Sequence, residues 1–231
     1  MKPDELAALD GNDLDGLVFC AQTYALFEQI RRSPDGTSRL RRRPSRLEKR
    51  LLEELLPICK YVQHAYRPGR YIKVRWIDGS QSFDAELVQF GPLVDQGYYP
   101  AKAFLEVTCI VHPKEHMKRE HLDKRGGTFG LEGLSRNSRG EIESSPIVYT
   151  NRKYIEVFRT LVLHGLAKKS KKSYPTDTSL VVQCSLNTVY TPAEWSELML
   201  GVEAESPASA FREIFFYDVT HHYSYTIHPR Q

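Results

Sequence analysis

The fold is decided by residues 71–111, which contain three stretches: Tyr71-Ile72-Lys73-Val74-Arg75-Trp76-Ile77, Ser82-Phe83-Asp84-Ala85-Glu86-Leu87 and Phe104-Leu105-Glu106-Val107-Thr108-Cys109-Ile110-Val111. Apolar and polar residues alternate in the first two stretches, and the third is strongly apolar. A period of two is typical of β-strands, so three strands are predicted here. The dipeptide Asp78-Gly79 after the first strand predicts a tight hairpin turn.

One acidic residue lies in each of the last two strands. Asp84 points away from the apolar face of its strand, and Glu106 shares a face with Thr108. An unpaired carboxylate is costly to bury, and metal coordination is one of the few compensations. The pair therefore predicts a site for Mg²⁺ (or Mn²⁺). The alternative is structural: Asp84 lies in solvent at a strand end, and Glu106 pairs with an arginine.

Length and composition predict a folded soluble protein. The chain has 231 residues, of which 26% are charged and 41% hydrophobic, enough for one large domain with or without an appendage. No apolar run is long enough to span a bilayer and the acidic N-terminus has no signal-peptide pattern, so a cytoplasmic location is predicted. The four cysteines are far apart in sequence and form no Cys-x-x-Cys pair, which favours reduced core thiols over a zinc knuckle.

The charges are unevenly distributed although the net charge is only +3. Residues 1–30 carry six acids and one base, whereas residues 31–50 carry nine Arg or Lys and two acids. Such a basic centre suits a protein that binds a polyanion, with an ordinary solvated surface as the alternative. The predicted phosphate contacts come from a linker over residues 31–44 and from the end of a later helix: Arg39, Arg41, Arg42, Arg43, Lys168, Lys169, Lys171 and Lys172.

Ser45-Arg46-Leu47-Glu48 predicts the start of a helix, because Ser-x-x-Glu before an apolar run is a capping box. Pro57 is expected to end this helix, and residues 58–66 are expected to be extended. Glu48 is either the reciprocal partner of the cap or a third acid of the site. The remaining predictions are a frayed segment (1–13), helices (14–30, 112–122, 151–166, 192–200), a buried strand (179–186) and two closing strands (213–217, 223–227).

Two other motifs carry little weight. His112, His116 and Glu120 recur every four residues, which is metal-ligand spacing on a helix, but they lack a second ligand set. The glycine-rich residues 126–130 match neither a Walker loop nor a dinucleotide-binding fingerprint. We therefore predict neither a zinc site nor a nucleotide site from them.

The order of these features resembles the PD-(D/E)XK, or restriction-endonuclease-like, nuclease superfamily. The opening Arg-Arg-Pro-Ser-Arg-Leu-Glu (42–48) looks most like the endonuclease subunit of heteromeric transposases. The resemblance covers roughly residues 45–186. It implies an α/β (α+β) fold with a central mixed β-sheet flanked by helices, in which an N-terminal helix and basic linker (1–44) and a C-terminal α+β addition (191–231) accompany a nuclease-like core (45–190). It also implies a metal-dependent DNA endonuclease, in which Asp84 and Glu106 bind the metal and Glu48 is the acid of the first helix.

The sequence departs from the family motif at position 108, where the family has a lysine and this chain has Thr108. Threonine can position a water molecule but cannot supply a positive charge. Lys102 or Lys114 could supply this positive charge from the ends of the strand, or the metal could provide all of the charge stabilisation. Otherwise the chain would be a catalytically inactive DNA-binding or protein-interaction subunit. The expected partner is double-stranded DNA, with a homodimer or a partner protein also possible.

Overall fold

The computed structural model describes residues 5–148, 150–185 and 191–229. The helices are α1 (Gly16–Arg31), α2 (Gly36–Arg42), α3 (Arg46–Arg50), α4 (Leu56–Ala65), α5 (Pro92–Asp95), α6 (Glu115–Arg125), α7 (Asn151–Ser170) and α8 (Pro192–Glu205). A π-helical turn (Leu51–Leu55) joins α3 to α4, and a 3-10 turn (Leu131–Gly133) follows α6. The strands are β1 (Leu14–Asp15), β2 (Tyr71–Trp76), β3 (Ala85–Phe90), β4 (Lys102–Ile110), β5 (Leu134–Arg136), β6 (Ile142–Ser144), β7 (Thr178–Cys184), β8 (Ile214–Asp218) and β9 (Ser224–Ile227).

The main sheet is mixed and has seven strands in the order β1-β2-β3-β4-β7-β8-β9. Adjacent strands are antiparallel from β1 through β4 and again between β8 and β9. Strands β4, β7 and β8 run parallel to one another. Strands β5 and β6 form a separate hairpin. The prediction of an α/β chain with a mixed sheet flanked by helices is thus confirmed. No helix in the described ranges is long and apolar enough to cross a membrane.

Each face of the sheet has its own hydrophobic core. Leu105 and Val107 of β4 belong to the core formed with α1 and α4, whereas Ile110 belongs to the core formed with α7 and α8. The alternation predicted for this strand is therefore confirmed, and it directs Glu106 and Thr108 toward the side of the sheet on which α7 packs. The long helix, the buried strand, the last helix and the closing strands also form as predicted, although residues 149 and 186–190 lie outside the described residues.

The predicted end of the first core helix at Pro57 is wrong. The helix continues to Ala65, so residues 58–65 are helical and only Tyr66 of the predicted extended segment is extended. The π-helical turn before Pro57 accommodates the ring, which would otherwise clash with the carbonyl four residues earlier. That carbonyl belongs to Glu53, and it accepts a hydrogen bond from the Cys109 thiol at 3.6 Å. A contact from a distant strand thus replaces the hydrogen bond that proline cannot donate.

Three local predictions outside this helix are also wrong. The tight hairpin predicted at Asp78-Gly79 does not form, because the connection between β2 and β3 spans residues 77–84. Arg46 and Arg50 hold this connection by pairing with Asp78 at 2.5 and 3.0 Å. Residues 36–42, expected in a flexible linker, form α2, which packs against α6. The described part of the N-terminal segment is anchored rather than frayed, because Leu6 and Leu9 are buried in the first core.

Candidate active site

Asp84 and Glu106 meet at the backbone of β4. Asp84 lies directly before β3, and its N–H donates to the Leu105 carbonyl at 2.7 Å. Its carboxylate oxygen Oδ2 accepts a hydrogen bond from the Val107 N–H, also at 2.7 Å. Glu106 stands between these two residues on β4 and is 8% exposed. The backbone contacts of Asp84 therefore place its carboxylate beside that of Glu106.

A lysine from the far end of α7 completes this group. Lys169 Nζ donates to Glu106 Oε1 and to the Val107 carbonyl, the latter at 3.2 Å. The contact joins residues 63 positions apart in sequence, and it depends on the extension of α7 to Ser170, one turn beyond the predicted end. The sequence had assigned Lys169 only to phosphate binding.

The two lysines expected to replace the missing charge of position 108 are engaged elsewhere. Lys102 Nζ lies 3.5 Å from a carboxylate oxygen of Glu86, and Lys114 Nζ donates to the Glu132 carbonyl at 2.8 Å. The structure thus pairs both lysines with other acids, and a role for either of them beside the acid pair stays a prediction. Their positions near the ends of β4 direct them to local acids, whereas α7 brings Lys169 directly over the strand.

The helical acid whose negative charge acts on Asp84 is Glu54 rather than Glu48. Glu48 forms the predicted capping box, in which the Ser45 N–H donates to its carboxylate at 3.1 Å, and its other oxygen lies 2.6 Å from Arg39 Nη2. Glu54 accepts from the Trp76 indole N–H at 3.2 Å. The structure thus gives Glu48 its predicted role in the cap, with Arg39 of α2 as a second partner, and its role as a third acid of the site stays a prediction.

The acid cluster changes the protonation of Asp84. Burial, followed by the negative charges of Glu54 and Glu106, raises the pKa of the Asp84 carboxyl to about 7, although the Val107 N–H and Lys169 act in the opposite direction. Burial also raises the pKa of Glu54, with Arg50 opposing it. Carboxyl groups that resist ionisation in this way mark a place where an added cation is stabilised.

Thr108 lies on a basic cleft next to the acid pair. The cleft has a volume of about 380 Å³, and its lining includes Thr108, His164, Lys168, Lys169 and Lys172. Lys168, Lys172 and His164 are exposed, so their side chains are accessible. Three of the four lysines predicted to bind phosphate thus share one cleft with Thr108. Lys171 caps the same helix and is also exposed.

A second groove begins at the C-terminal end of α7. It has a volume of about 690 Å³, and Ser170, Tyr174, Asp177, Ser209 and Arg212 contribute to its lining. Burial and then the negative charge of Glu106 raise the pKa of the Tyr174 hydroxyl. Tyr174 therefore connects this groove electrostatically to Glu106.

The arginines predicted to bind phosphate are largely occupied by acids of the chain. Arg39 pairs with Glu48 and Arg43 with Glu53, at 2.6 and 2.7 Å. Arg41 and Arg42 approach Asp123 at 3.9 and 3.5 Å, and of the four only Arg42 has a mostly exposed side chain. Arg39 and Arg43 thus hold α2 and the following helix together. Their guanidinium groups are already paired with acids, and their binding of phosphate stays a prediction.

Arg39→Ala is expected to lower the free energy of unfolding by about 2 kcal/mol, because it leaves the buried Glu48 carboxylate without its cationic partner. Arg42→Ala is the matched control, since its pair with Asp123 is exposed and is expected to contribute under about 1 kcal/mol. Urea denaturation of both variants measures the difference. Equal stability of the two would contradict the structural role of Arg39.

The described residues contain no group of three or more His, Cys, Asp and Glu side chains arranged to hold a metal ion. His112 lies 2.9 Å from Glu132, His116 lies 3.0 Å from the Pro113 carbonyl, and Glu120 pairs with Arg136. The side chains of His112, His116 and Glu120 therefore do not converge on one point. Mg²⁺ is commonly held by only one or two carboxylates, with water and substrate phosphate completing its shell. Asp84, Glu106 and the Val107 carbonyl fit that donor chemistry.

Comparisons with protein-family models, with curated proteins and with solved structures find no match to the chain. The chemistry of the site therefore has to follow from its own residues and their surroundings.

Proposed function

We propose that the chain is a divalent-metal-dependent endonuclease that hydrolyses phosphodiester bonds of DNA, built on a restriction-endonuclease-like core. The observation that carries the proposal is the meeting of Asp84, Glu106 and Lys169 at the Val107 peptide of β4. Two acids and one lysine are the residue types of the PD-(D/E)XK motif. In this chain the lysine comes from a helix rather than from position 108.

The order of the elements supports the same proposal. A helical segment (46–65) precedes three antiparallel strands, β2 to β4, and α7 then leads to β7, which pairs in parallel with β4. This is the order on which the resemblance rests, and Asp84 lies directly before the second of these strands and Glu106 on the third. Fold order alone does not define an activity, so the weight lies on the site.

The residues divide the work by charge. Asp84 and Glu106 would hold Mg²⁺ or Mn²⁺, which would supply Lewis-acid activation and neutralise charge on the phosphate. Lys169 carries a fixed ammonium group beside Glu106, where it would stabilise negative charge that develops on the phosphate oxygens. Thr108 lines the same cleft and can orient water through its hydroxyl. The remaining cleft lysines would neutralise neighbouring phosphates.

Cleavage of supercoiled plasmid tests the proposal. The wild-type chain is expected to nick the plasmid with Mg²⁺ or Mn²⁺ and to be inactive with excess chelator. Asp84→Asn and Glu106→Gln keep the size of each side chain and remove its charge, so both are expected to abolish nicking. Thermal melting confirms that the variants fold. Nicking that persists in both variants would overturn the assignment.

A second candidate is a catalytically inactive subunit that binds DNA or a partner protein. One observation favours it: Lys169 bonds directly to Glu106, and thereby occupies an oxygen that a metal would use. Calorimetric titration with Mn²⁺ separates the two candidates without a cleavage assay. Binding that is lost in Asp84→Asn supports the nuclease, whereas no binding to the wild-type chain supports the inactive subunit.

A further inference from the structure

The sheet face that carries Glu106 continues over β2 and β3 as an open surface. Residues of β2 alternate between exposed and buried, and the exposed set contains Tyr71, Lys73 and Arg75. On β3 the exposed set contains Val88 and Phe90, while Ala85, Leu87 and Gln89 are buried. We call this surface the outer face and define it by Tyr71, Lys73, Arg75, Glu86, Val88, Phe90, Lys102 and Phe104. Helices α1 and α4 pack against the opposite face.

Aromatic rings and lysines are interleaved on the outer face. Tyr71 and Phe90 lie opposite each other in the β2–β3 register with ring centroids 5.6 Å apart, and Lys73 Nζ lies 5.9 Å from the Phe90 ring. Tyr71 and Phe90 are 36% and 43% exposed. Near Asp84, Lys102 Nζ lies 5.1 Å from the Phe104 ring. Each end of the outer face therefore presents an aromatic ring accompanied by a lysine.

We propose that the outer face binds single-stranded nucleic acid, with bases stacked on Tyr71 and Phe90 and phosphates near Lys73, Arg75 and Lys102. Aromatic platforms combined with a positively charged path are the usual means of binding unpaired strands without sequence preference. The outer face carries three cations, Lys73, Arg75 and Lys102, against one acid, Glu86. A protein partner fits less well, because lysine is depleted at the centre of protein interfaces.

The position of the outer face relative to the acid pair specifies a substrate class. Asp84 precedes β3 and Phe90 ends it, so the two are separated by about 20 Å along the strand at about 3.3 Å per residue. That span suits a few nucleotides, within the site sizes of about 4–16 nucleotides seen for other stacking surfaces. Paired bases cannot stack on a flat protein surface. Resting on the proposed function, the inference therefore assigns junctions between single and double strands as the preferred substrate.

Binding of oligothymidylate, which forms no duplex, tests the inference without cleavage. The measurement is fluorescence anisotropy with a labelled strand of about 12 nucleotides in chelator, in the Asp84→Asn background. Removing both rings in Tyr71→Ala/Phe90→Ala is expected to weaken binding by at least about tenfold. Phe129→Ala is the matched control, because Phe129 is exposed outside the main sheet and its loss is expected to change nothing.

A tryptophan variant keeps the test decisive if the double variant folds poorly. Both natural tryptophans, Trp76 and Trp195, are buried, so Phe90→Trp adds an exposed fluorophore. Oligothymidylate is expected to quench this fluorescence, and a blunt duplex of equal length is expected to quench it much less. Equal quenching by both would overturn the inference, as would oligothymidylate affinities unaffected by loss of the two rings.

Other outcomes separate the inference from the proposed function. Plasmid nicking without oligothymidylate binding would overturn the inference and leave the nuclease proposal intact. Oligothymidylate binding without nicking would uphold the outer face and remove the nuclease proposal. If Tyr71→Ala/Phe90→Ala instead converted a dimer to a monomer in analytical ultracentrifugation, with strand binding unchanged, the face would be a contact between two copies of the chain and the inference would fail.

Discussion

Lys169→Met is expected to reduce metal-dependent plasmid cleavage by about 100-fold or more, since removing one fixed group that stabilises transition-state charge typically has an effect of that order. The substitution keeps the length of the side chain and removes its ammonium group. Lys169 is the cation bonded to Glu106, so its loss removes the positive charge nearest the acid pair. Nicking rates measured under single-turnover conditions give the size of the effect.

Lys153→Met is the matched control for this prediction. Lys153 is exposed on the first turn of α7, at the opposite end of the helix from Lys169, so its removal is expected to leave nicking rates unchanged. Loss of activity in Lys153→Met together with full activity in Lys169→Met would contradict the assignment. Because Lys169→Met also leaves Glu106 unpaired, thermal melting of each variant is needed to separate lost activity from lost folding.

Moving the charge tests whether position 108 could carry the lysine that α7 supplies. Thr108 and Lys169 line the same cleft, so a lysine at position 108 would carry its ammonium into the space that Lys169 leaves. Thr108→Lys combined with Lys169→Met is expected to recover part of the lost activity. Thr108→Lys alone is expected to gain nothing, because two ammonium groups would then compete for Glu106. No recovery in the double variant would show that only the helix delivers a usable cation.

The strands of the acid pair could be predicted from sequence because their periodicity is local, although β3 begins one residue after Asp84 and the turn before it is longer than predicted. The lysine that pairs with Glu106 could not be predicted from sequence. The basic residues from Lys168 to Lys172 are visible in the sequence, but which of them reaches Glu106 depends on how α7 packs across β4. The run predicts a positive surface, and only the tertiary packing assigns Lys169 to the acid pair.

The error at Pro57 has a similar origin. Local rules predict that proline ends a helix, and they hold when nothing else satisfies the freed carbonyl. Here the Cys109 thiol of a distant strand contacts the Glu53 carbonyl, and the π-helical turn absorbs the extra bulk. The same π-helical turn carries Glu54, whose negative charge helps to raise the pKa of Asp84.

Asp84→Asn is expected to stabilise the folded chain at alkaline pH. The pKa of Asp84 is about 7 in the folded chain, against an ordinary value of 3.8. Below the ordinary value both folded and unfolded chains carry the proton, and the group has no effect on stability. As the pH rises from there toward 7, the unfolded chain ionises first, so stability falls. Above 7 the full cost is present, and asparagine removes it while keeping an acceptor for the Val107 N–H.

The gain in unfolding free energy from Asp84→Asn is expected to be about 2 kcal/mol larger near pH 8 than near pH 5, after allowance for the partial exposure of the side chain. Urea denaturation in chelator at the two pH values measures it. Asp78→Asn is the control with the opposite sign, because Asp78 pairs with Arg46 and Arg50 and its neutralisation is expected to destabilise the fold at both pH values.

The same pair of variants connects stability to metal binding. A cation bound by Asp84 and Glu106 would favour the ionised form of Asp84 and so relieve the cost that burial imposes on it. Adding Mg²⁺ near pH 8 is therefore expected to stabilise the wild-type chain and Asp78→Asn, but to leave Asp84→Asn unchanged. Equal stabilisation of all three would mean that Mg²⁺ binds elsewhere. The instability of the acid pair without metal is then the property that makes it a cation site, because a carboxylate already satisfied by the protein, such as Glu48, gains little from a cation.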